Sequence, residues 1–288
     1  MPHAAMETGG TGRAREKEDA LVAWLRDRGS VLVGFSGGVD SAYLACVASE
    51  TLGRDRVLAV IGRSASYPAE QWATAREVAA RFGLDILEID TDELSDPRYA
   101  ANPSNRCYFC KSELWSRLVP LAVERGFATV VDGTNADDIG GHRPGMLAAR
   151  EQGVESPLAD LGFTKGEIRA LSHGRGIPTW SAPASPCLSS RIPYGTPVTV
   201  ARLGQVERAE RSLRELGITG DLRVRHHGVL ARVELPGADI DRWLDPVGQQ
   251  RIRAAVCGAG FERAAIDMRG FRSGSLNVLH EGAGATVV

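Results

Sequence analysis

At 288 residues, 43% of them hydrophobic and 24% charged, the chain has the make-up of an ordinary soluble globular protein with room for one large domain or two small ones. Its formal net charge of −2 excludes the broad basic field of a dedicated nucleic-acid binder. No apolar run approaches the roughly 18 residues of a membrane span.

Residues 1–16 lack the apolar core of a signal peptide and read as a flexible leader, so a cytoplasmic location is expected. Residues 17–29 have the pattern of an amphipathic helix closed by Gly29. Val31 to Phe35 (V-L-V-G-F) reads as a strand buried on both faces, and 41–52 carries apolar residues at helical spacing. Strands are predicted over 56–61, 85–90 and 128–132, separated by helices over 69–82 and 111–125. That alternation predicts right-handed crossovers and a parallel sheet, an α/β fold. Thr164, with Glu167 three positions on, forms a capping box that starts another helix. Residues 177–197 carry five prolines and cannot be regular, which suggests a linker or an active-site loop. Helix 199–216, strands 221–227 and 229–235, helix 246–257 and strand 262–268 then suggest a smaller α+β domain. The glycine-rich tail from 275 reads as flexible. The expected division is therefore 17–180, a loop or linker at 181–198, 199–274, and the tail 275–288.

Between the first strand and its helix lies S-G-G-V-D-S, Ser36 to Ser41. Paired glycines allow a tight turn and bring backbone N–H groups near an anion at the helix N-terminus. Ser36 and Ser41 add hydroxyls, Asp40 supplies a carboxylate for a phosphate-bound Mg²⁺, and Gly34 and Val39 flank the turn. The loop has no Walker lysine; Lys17, Lys111 and Lys165 are the chain's only lysines. Ligands of such sheets sit at the carboxyl ends of the strands, so Arg63 and Ser64 after the second strand and Gly133 after the fourth join the predicted nucleotide site. Asp132, Asp137 and Asp138 could share a magnesium or cap the next helix. Arg143, in H-R-P-G, is a further expected anion contact.

Five cysteines, an odd number, argue for thiols, ligands or nucleophiles rather than a disulfide framework. Cys46 and Cys257 fall in apolar helical stretches and read as packing residues. Cys107 and Cys110 form C-Y-F-C just ahead of a predicted helix, a pattern open to a redox pair, half a zinc site, part of an iron–sulfur site or chance. Cys187 stands in the Pro-rich loop beside Ser189, Ser190 and Arg191, where a neighbouring charge would favour a presented thiolate. With Cys187 the set has three thiols, one short of a zinc tetrahedron but suited to a cluster with one open iron.

The S-G-G-V-D-S string resembles the signature of the PP-loop ATP pyrophosphatases, which cleave ATP between the α and β phosphates. Together with N-P-S-N-R-C-Y-F-C-K, D-G-T-N-A-D-D, H-R-P-G, P-A-S-P-C-L-S-S-R-I-P-Y-G and D-M-R-G-F-R-S-G-S-L-N, in order from Ser36 to Asn277, it is similar to the LarE family of sulfur transferases of nickel-pincer cofactor synthesis. That resemblance implies a PP-loop domain of the adenine-nucleotide alpha-hydrolase type. It also implies ATP-dependent adenylation of a carboxylate of a pyridinium dicarboxylate mononucleotide, with conversion to a thiocarboxylate. Ser36, Gly37, Gly38 and Ser41 would hold phosphates, with Asp40 and, more weakly, Asp137 on Mg²⁺. Ser190, Arg191, Arg223 and Arg225 would meet the substrate. The family's sulfur comes either from a sacrificed cysteine matching Cys187 or from hydrosulfide on a 4Fe-4S cluster held by three cysteines. Because Cys107, Cys110 and Cys187 are all present, the cluster is the expectation and sacrifice of Cys187 the alternative. A PP-loop tRNA thiolase and an amidating enzyme like NAD or GMP synthetase are the rival readings; the near-neutral charge opposes the first and the absence of a glutaminase domain the second. Partners expected are the mononucleotide and a sulfur donor, with no nucleic acid or membrane; homo-oligomer formation stays open.

Overall fold

The computed structural model describes residues 4–140, 144–237 and 240–272, with side chains from residue 12 onward. In chain order its elements begin with α1 (Ala4–Arg28), β1 (Val31–Gly34), α2 (Val39–Leu52), β2 (Val57–Arg63), α3 (Ala69–Phe82) and β3 (Ile86–Asp90). The short α4 (Pro97–Ala100), α5 (Arg106–Arg125), β4 (Thr129–Val131), α6 (Pro144–Glu151), the short α7 (Pro157–Asp160) and α8 (Lys165–Gly174) follow. The remainder is α9 (Val200–Glu215), β5 (Arg223–His227), β6 (Leu230–Glu234), α10 (Ile240–Trp243), α11 (Pro246–Gly258) and β7 (Arg263–Ile266).

The fold is α/β. A parallel four-stranded sheet has the order β3-β2-β1-β4. The chain leaves β1 for β2 and β3 on one side, then crosses back to place β4 on the other. The strand order therefore reverses at the carboxyl end of β1, where open α/β sheets bind ligands. Val31, Leu32 and Val33 are fully buried, which explains a continuous apolar run in place of alternation. Helix α2 buries nine side chains, from Val39 through Ala48, because it lies against the sheet with α1 and α8 also packed on it. A core of Leu32, Val60, Trp115, Leu118, Val130 and Ala148 joins the sheet to α5 and α6.

The chain divides into two compact units. The first contains Met1–Ser64, Ala69–Glu93 and Asn105–Ala182, and the second Ala65–Pro68, Leu94–Ser104 and Pro183–Val288. Two short excursions of the N-terminal half thus belong with the C-terminal unit, a division that a contiguous 17–180 domain does not contain. The second unit has a three-stranded sheet, β5-β6-β7, with β5 antiparallel and β7 parallel to β6. Its core comes from Leu203, Val206, Ala209 and Leu213 of α9, spaced along one helical face, and from Val224, Val233, Ile252 and Val256.

Two local expectations change. The helix expected over 17–29 begins at Ala4, so part of the supposed leader is helical; Ala14 is buried and Lys17 Nζ bonds Glu167 and the Gly162 carbonyl, tying this end down. The helix expected from 111 begins at Arg106, so Cys107 and Cys110 lie within its first five residues rather than ahead of it. Asn105 precedes it without a side-chain cap bond, while Arg106 is buried, so packing rather than a local cap sets the start. Arg143 and the tail from 275 lie outside the described residues.

Candidate active site

The S-G-G-V-D-S turn joins β1 to α2 at the reversal point of the first sheet. Gly37 has φ of +72°, and a Cβ there would lie 2.6 Å from the Ala75 Cβ of α3, so only glycine fits. Gly38 is the N-cap of α2 in extended backbone. Ser41 Oγ donates to the Gly38 carbonyl at 3.1 Å, accepts from the Ser36 N–H at 3.2 Å and lies 3.1 Å from Ser36 Oγ. Gln71 of α3 donates to the Ser36 carbonyl at 2.9 Å. The turn is therefore tied across itself, with the first N–H groups of α2 directed toward its mouth. Gly133 completes the cradle: a Cβ on it would sit 2.7 Å from the Ser41 nitrogen. Gly34 and Val39 serve packing. A Cβ on Gly34 would strike the Trp115 ring at 2.6 Å, and Val39 is buried.

Asp40 forms a salt bridge with Lys165 Nζ and accepts from Asn135 Nδ2 at 3.4 Å. Lys165 is the first residue of α8, placed there by the capping box in which Thr164 and Glu167 satisfy each other's backbone N–H. The loop that lacks a lysine thus acquires one from 125 positions away. Sequence reasoning missed it, although the capping box and the scarcity of lysines both mark the position. Of the neighbouring carboxylates, Asp137 accepts from the Lys165 backbone N–H at 2.8 Å and Asp138 from the Asn135 N–H at 3.3 Å, so both act as caps. Asp132 accepts from Ser156 and from both the N–H and the hydroxyl of Thr134. Arg63 stacks on the Trp72 ring at 5.0 Å and donates to Glu88, and Ser64 Oγ donates to the buried Glu93 at 2.6 Å.

Cys107 is exposed and Cys110 half-buried. Three positions apart at the start of α5, they share one helical face. Cys46 differs: burial pushes its thiol up to about 12, leaving it inert at neutral pH. Cys257 is half-buried, its thiol 3.7 Å from the Glu262 carbonyl.

In the second unit, Cys187 is half-buried at the head of a single 3₁₀ turn, 188–191, while Leu188, Ser189 and Arg191 are buried. Arg191 forms a two-pronged pair with Glu210, both bonds 2.9 Å, and its Nη1 donates to the carbonyls of Pro186 and Cys187. Nη1 also donates to Ser190 Oγ at 3.1 Å. Strand periodicity puts Arg223 and Arg225 on one face of β5. Arg223 donates to the Ala184 carbonyl, Arg225 to the Ser190 carbonyl and, with two nitrogens, to fully buried Glu234. Burial, reinforced by the nearby Arg191 charge, lowers Arg223 to about 10. The three arginines expected on substrate are, in this structure, buried among protein oxygens, gripping the loop that carries Cys187. Glu210 and Glu234, their counter-charges, carry no local sequence signal. Among the described residues, no three His, Cys, Asp or Glu side chains gather into a metal-holding group, and no helix is long and apolar enough to cross a membrane.

Comparison with known proteins agrees with the phosphate loop. The NAD synthase family profile matches residues 17–117. An uncharacterized protein of Synechocystis sp. is 44% identical over 246 residues, covering 85% of this chain and 91% of its own. The pyridinium-3,5-bisthiocarboxylic acid mononucleotide synthase of Lactiplantibacillus plantarum is 38% identical over 261 residues, covering 91% of this chain and 94% of its own. By contrast, the NH(3)-dependent NAD(+) synthetase of Pyrobaculum aerophilum is 39% identical over only 66 residues, 23% of this chain. The NAD synthase family profile covers only residues 17–117, whereas the likeness to the mononucleotide synthase covers 91% of the chain and so runs through the Cys187 loop. On that coverage the chain belongs to the LarE family of ATP-dependent sulfurtransferases, within the PP-loop ATP pyrophosphatases.

Proposed function

We propose that the enzyme converts a carboxylate of pyridinium-3,5-biscarboxylic acid mononucleotide into a thiocarboxylate in the cytoplasm. The observation that carries this reading is one chain holding both a glycine-only phosphate turn and a cysteine, Cys187, presented from a loop pinned by buried arginines. In the first half-reaction a substrate carboxylate oxygen attacks the α-phosphorus of ATP. The α–β bridging bond breaks, pyrophosphate leaves and an acyl-adenylate remains. In the second, a sulfur nucleophile attacks the acyl carbon, AMP leaves and a carbon–sulfur bond replaces the carbon–oxygen bond.

Ser36, Gly37, Gly38 and Ser41 would cradle the phosphates, with Arg63 and Ser64 at the neighbouring strand end. Asp40 would hold Mg²⁺, and the position fits a cation because the Lys165 ammonium already sits on that carboxylate. Mg²⁺ supplies charge neutralisation of the leaving pyrophosphate when bound. For the sulfur, Cys107, Cys110 and Cys187 fit as the donors of a 4Fe-4S cluster by their chemistry: three thiols, two on one helical face beside a helix N-terminus. A cluster so held supplies, when bound, an exchangeable site for inorganic sulfide. In its absence the Cys187 sulfur would attack the acyl carbon to form a thioester; loss of the Cys187 Cα proton with cleavage of its Cβ–Sγ bond would then release the thiocarboxylate and leave dehydroalanine at position 187.

The test is to incubate the anaerobically purified enzyme with ATP, Mg²⁺, the biscarboxylic mononucleotide and sulfide, following pyrophosphate and the product mass. Pyrophosphate release that depends on this acid, with oxygen-for-sulfur exchange in the product, is the expected result. Release with nicotinic acid adenine dinucleotide and ammonia would replace this reading by the amidating one.

A further inference from the structure

We infer that Asn102 is a positioning residue for the sulfur step at Cys187, an inference that rests on the function just proposed. The loop 183–198 is rich in proline, so it has few N–H groups with which to order itself, and its carbonyls must find donors elsewhere. Asn102, fully buried, supplies them: its Nδ2 donates to the carbonyls of Pro193 at 2.8 Å, Thr196 at 2.9 Å and Ile192 at 3.3 Å. Its own carbonyl accepts from the Gly195 N–H at 2.9 Å. Asn102 has φ of 57°, the one positive value at a non-glycine residue among those described. Asparagine meets both demands at once, since it tolerates the left-handed region and carries an NH₂ that can serve several acceptors.

The rest of the segment grips the same loop. Tyr99 and Ser189 share a buried hydrogen bond of 2.6 Å, and the Val198 N–H donates to the Ala100 carbonyl at 2.8 Å. On the near side of Cys187, the Leu188 N–H donates to the Ser66 carbonyl at 2.8 Å. Residues 188, 189, 191 and 192 are all buried, whereas Cys187 is only half-buried. The loop is thus a fixed mount that presents one thiol, and Asn102 is its clamp from five residues ahead of Cys107 in the chain.

The experiment compares wild type with Asn102→Gly, which accepts the backbone conformation but loses all three donated bonds, and with Asn102→Asp, which keeps the size but turns an acceptor toward those carbonyls. Two half-reactions are read on the full-length enzyme: the burst of pyrophosphate from ATP and the biscarboxylic mononucleotide, and the formation of thiocarboxylate. In both variants the burst and its KM for ATP are expected to stay at the wild-type level, while thiocarboxylate formation slows by about ten- to a hundredfold, the usual effect of a small misplacement of a reacting group. Trypsin is expected to cut after Arg191 in the variants and not in wild type. Equal loss of both half-reactions, or unchanged thiocarboxylate formation, overturns the proposal. A wild-type enzyme that gives no thiocarboxylate overturns the functional reading instead, and the tryptic pattern then still reports whether Asn102 holds the loop.

Discussion

The Lys165 ammonium rests on the carboxylate of Asp40, joining the first residue of α8 to the fifth residue of the phosphate turn. Asp40 is also bonded by Asn135, so its carboxylate is oriented before any nucleotide arrives. Lys165→Met is expected to leave the fold intact, because the capping box of α8 uses Thr164 and Glu167 rather than the lysine side chain. The ATP-dependent pyrophosphate burst should fall at least about tenfold, equivalent to roughly 1.4 kcal/mol. Unchanged ATP binding and burst rate in Lys165→Met would remove the lysine from the site.

The two glycines of the turn differ in how strictly they need to be glycine. Gly37→Ala places a Cβ 2.6 Å from Ala75 at a positive φ, so it is expected to cost on the order of 1–3 kcal/mol and to abolish ATP binding. Gly38→Ala adds a Cβ whose nearest neighbour is Ser36 Oγ at 3.4 Å in extended backbone, and should be far milder. Thermal unfolding with and without Mg-ATP compares them.

Iron and acid-labile sulfide on anaerobically prepared protein decide the sulfur source. The cluster reading expects both in the wild type, with a visible charge-transfer band, and their loss in Cys107→Ala, Cys110→Ala and Cys187→Ala. Cys46→Ala should retain them, since that thiol is buried in α2 and pushed up to about 12. Iron-free protein that loses the Cys187 sulfur on turnover would establish the sacrificial route.

Arg191 and Glu210 form a nearly buried, two-pronged ion pair. Replacing Glu210 by Gln leaves the guanidinium without its counter-charge, and loss of one partner of such a pair costs roughly 3–5 kcal/mol. Urea unfolding should show that loss, together with faster alkylation of Cys187 as its carbonyl tether loosens. An unaltered midpoint would show that the loop is held without this pair.

A pH dependence follows from Glu155, whose carboxyl is held below its ordinary value of 4.5, first by the hydrogen bond from Arg28 and, against burial, also by Thr129. A depressed folded-state value means that the contribution is complete above 4.5 and fades as pH falls through the lowered value. Both side chains are about one-third exposed, so the effect is modest and weakens with salt. Arg28→Ala should flatten this part of the acid limb in a melting-temperature series below pH 5.

What the sequence determined by itself was local. The apolar run of β1, the paired glycines, the helix behind them and the capping box at Thr164 each follow from neighbours within a few positions, so the parallel sheet and its phosphate turn were legible from pattern alone. The C-x-x-C pair was visible too, although its place inside α5 was not, because Asn105 makes no cap bond and packing of Arg106 sets the start. Tertiary structure alone decided the rest. It set Lys165 on Asp40 across 125 residues, and it turned Arg191, Arg223 and Arg225 inward to Glu210, Glu234 and the loop carbonyls. It also took residues 65–68 and 94–104 out of the N-terminal half to build the mount for Cys187. The physical reason is common to all three. A charge or an amide is committed to a partner only once folding has removed water from around it, and the identity of that partner depends on which distant segment fills the space.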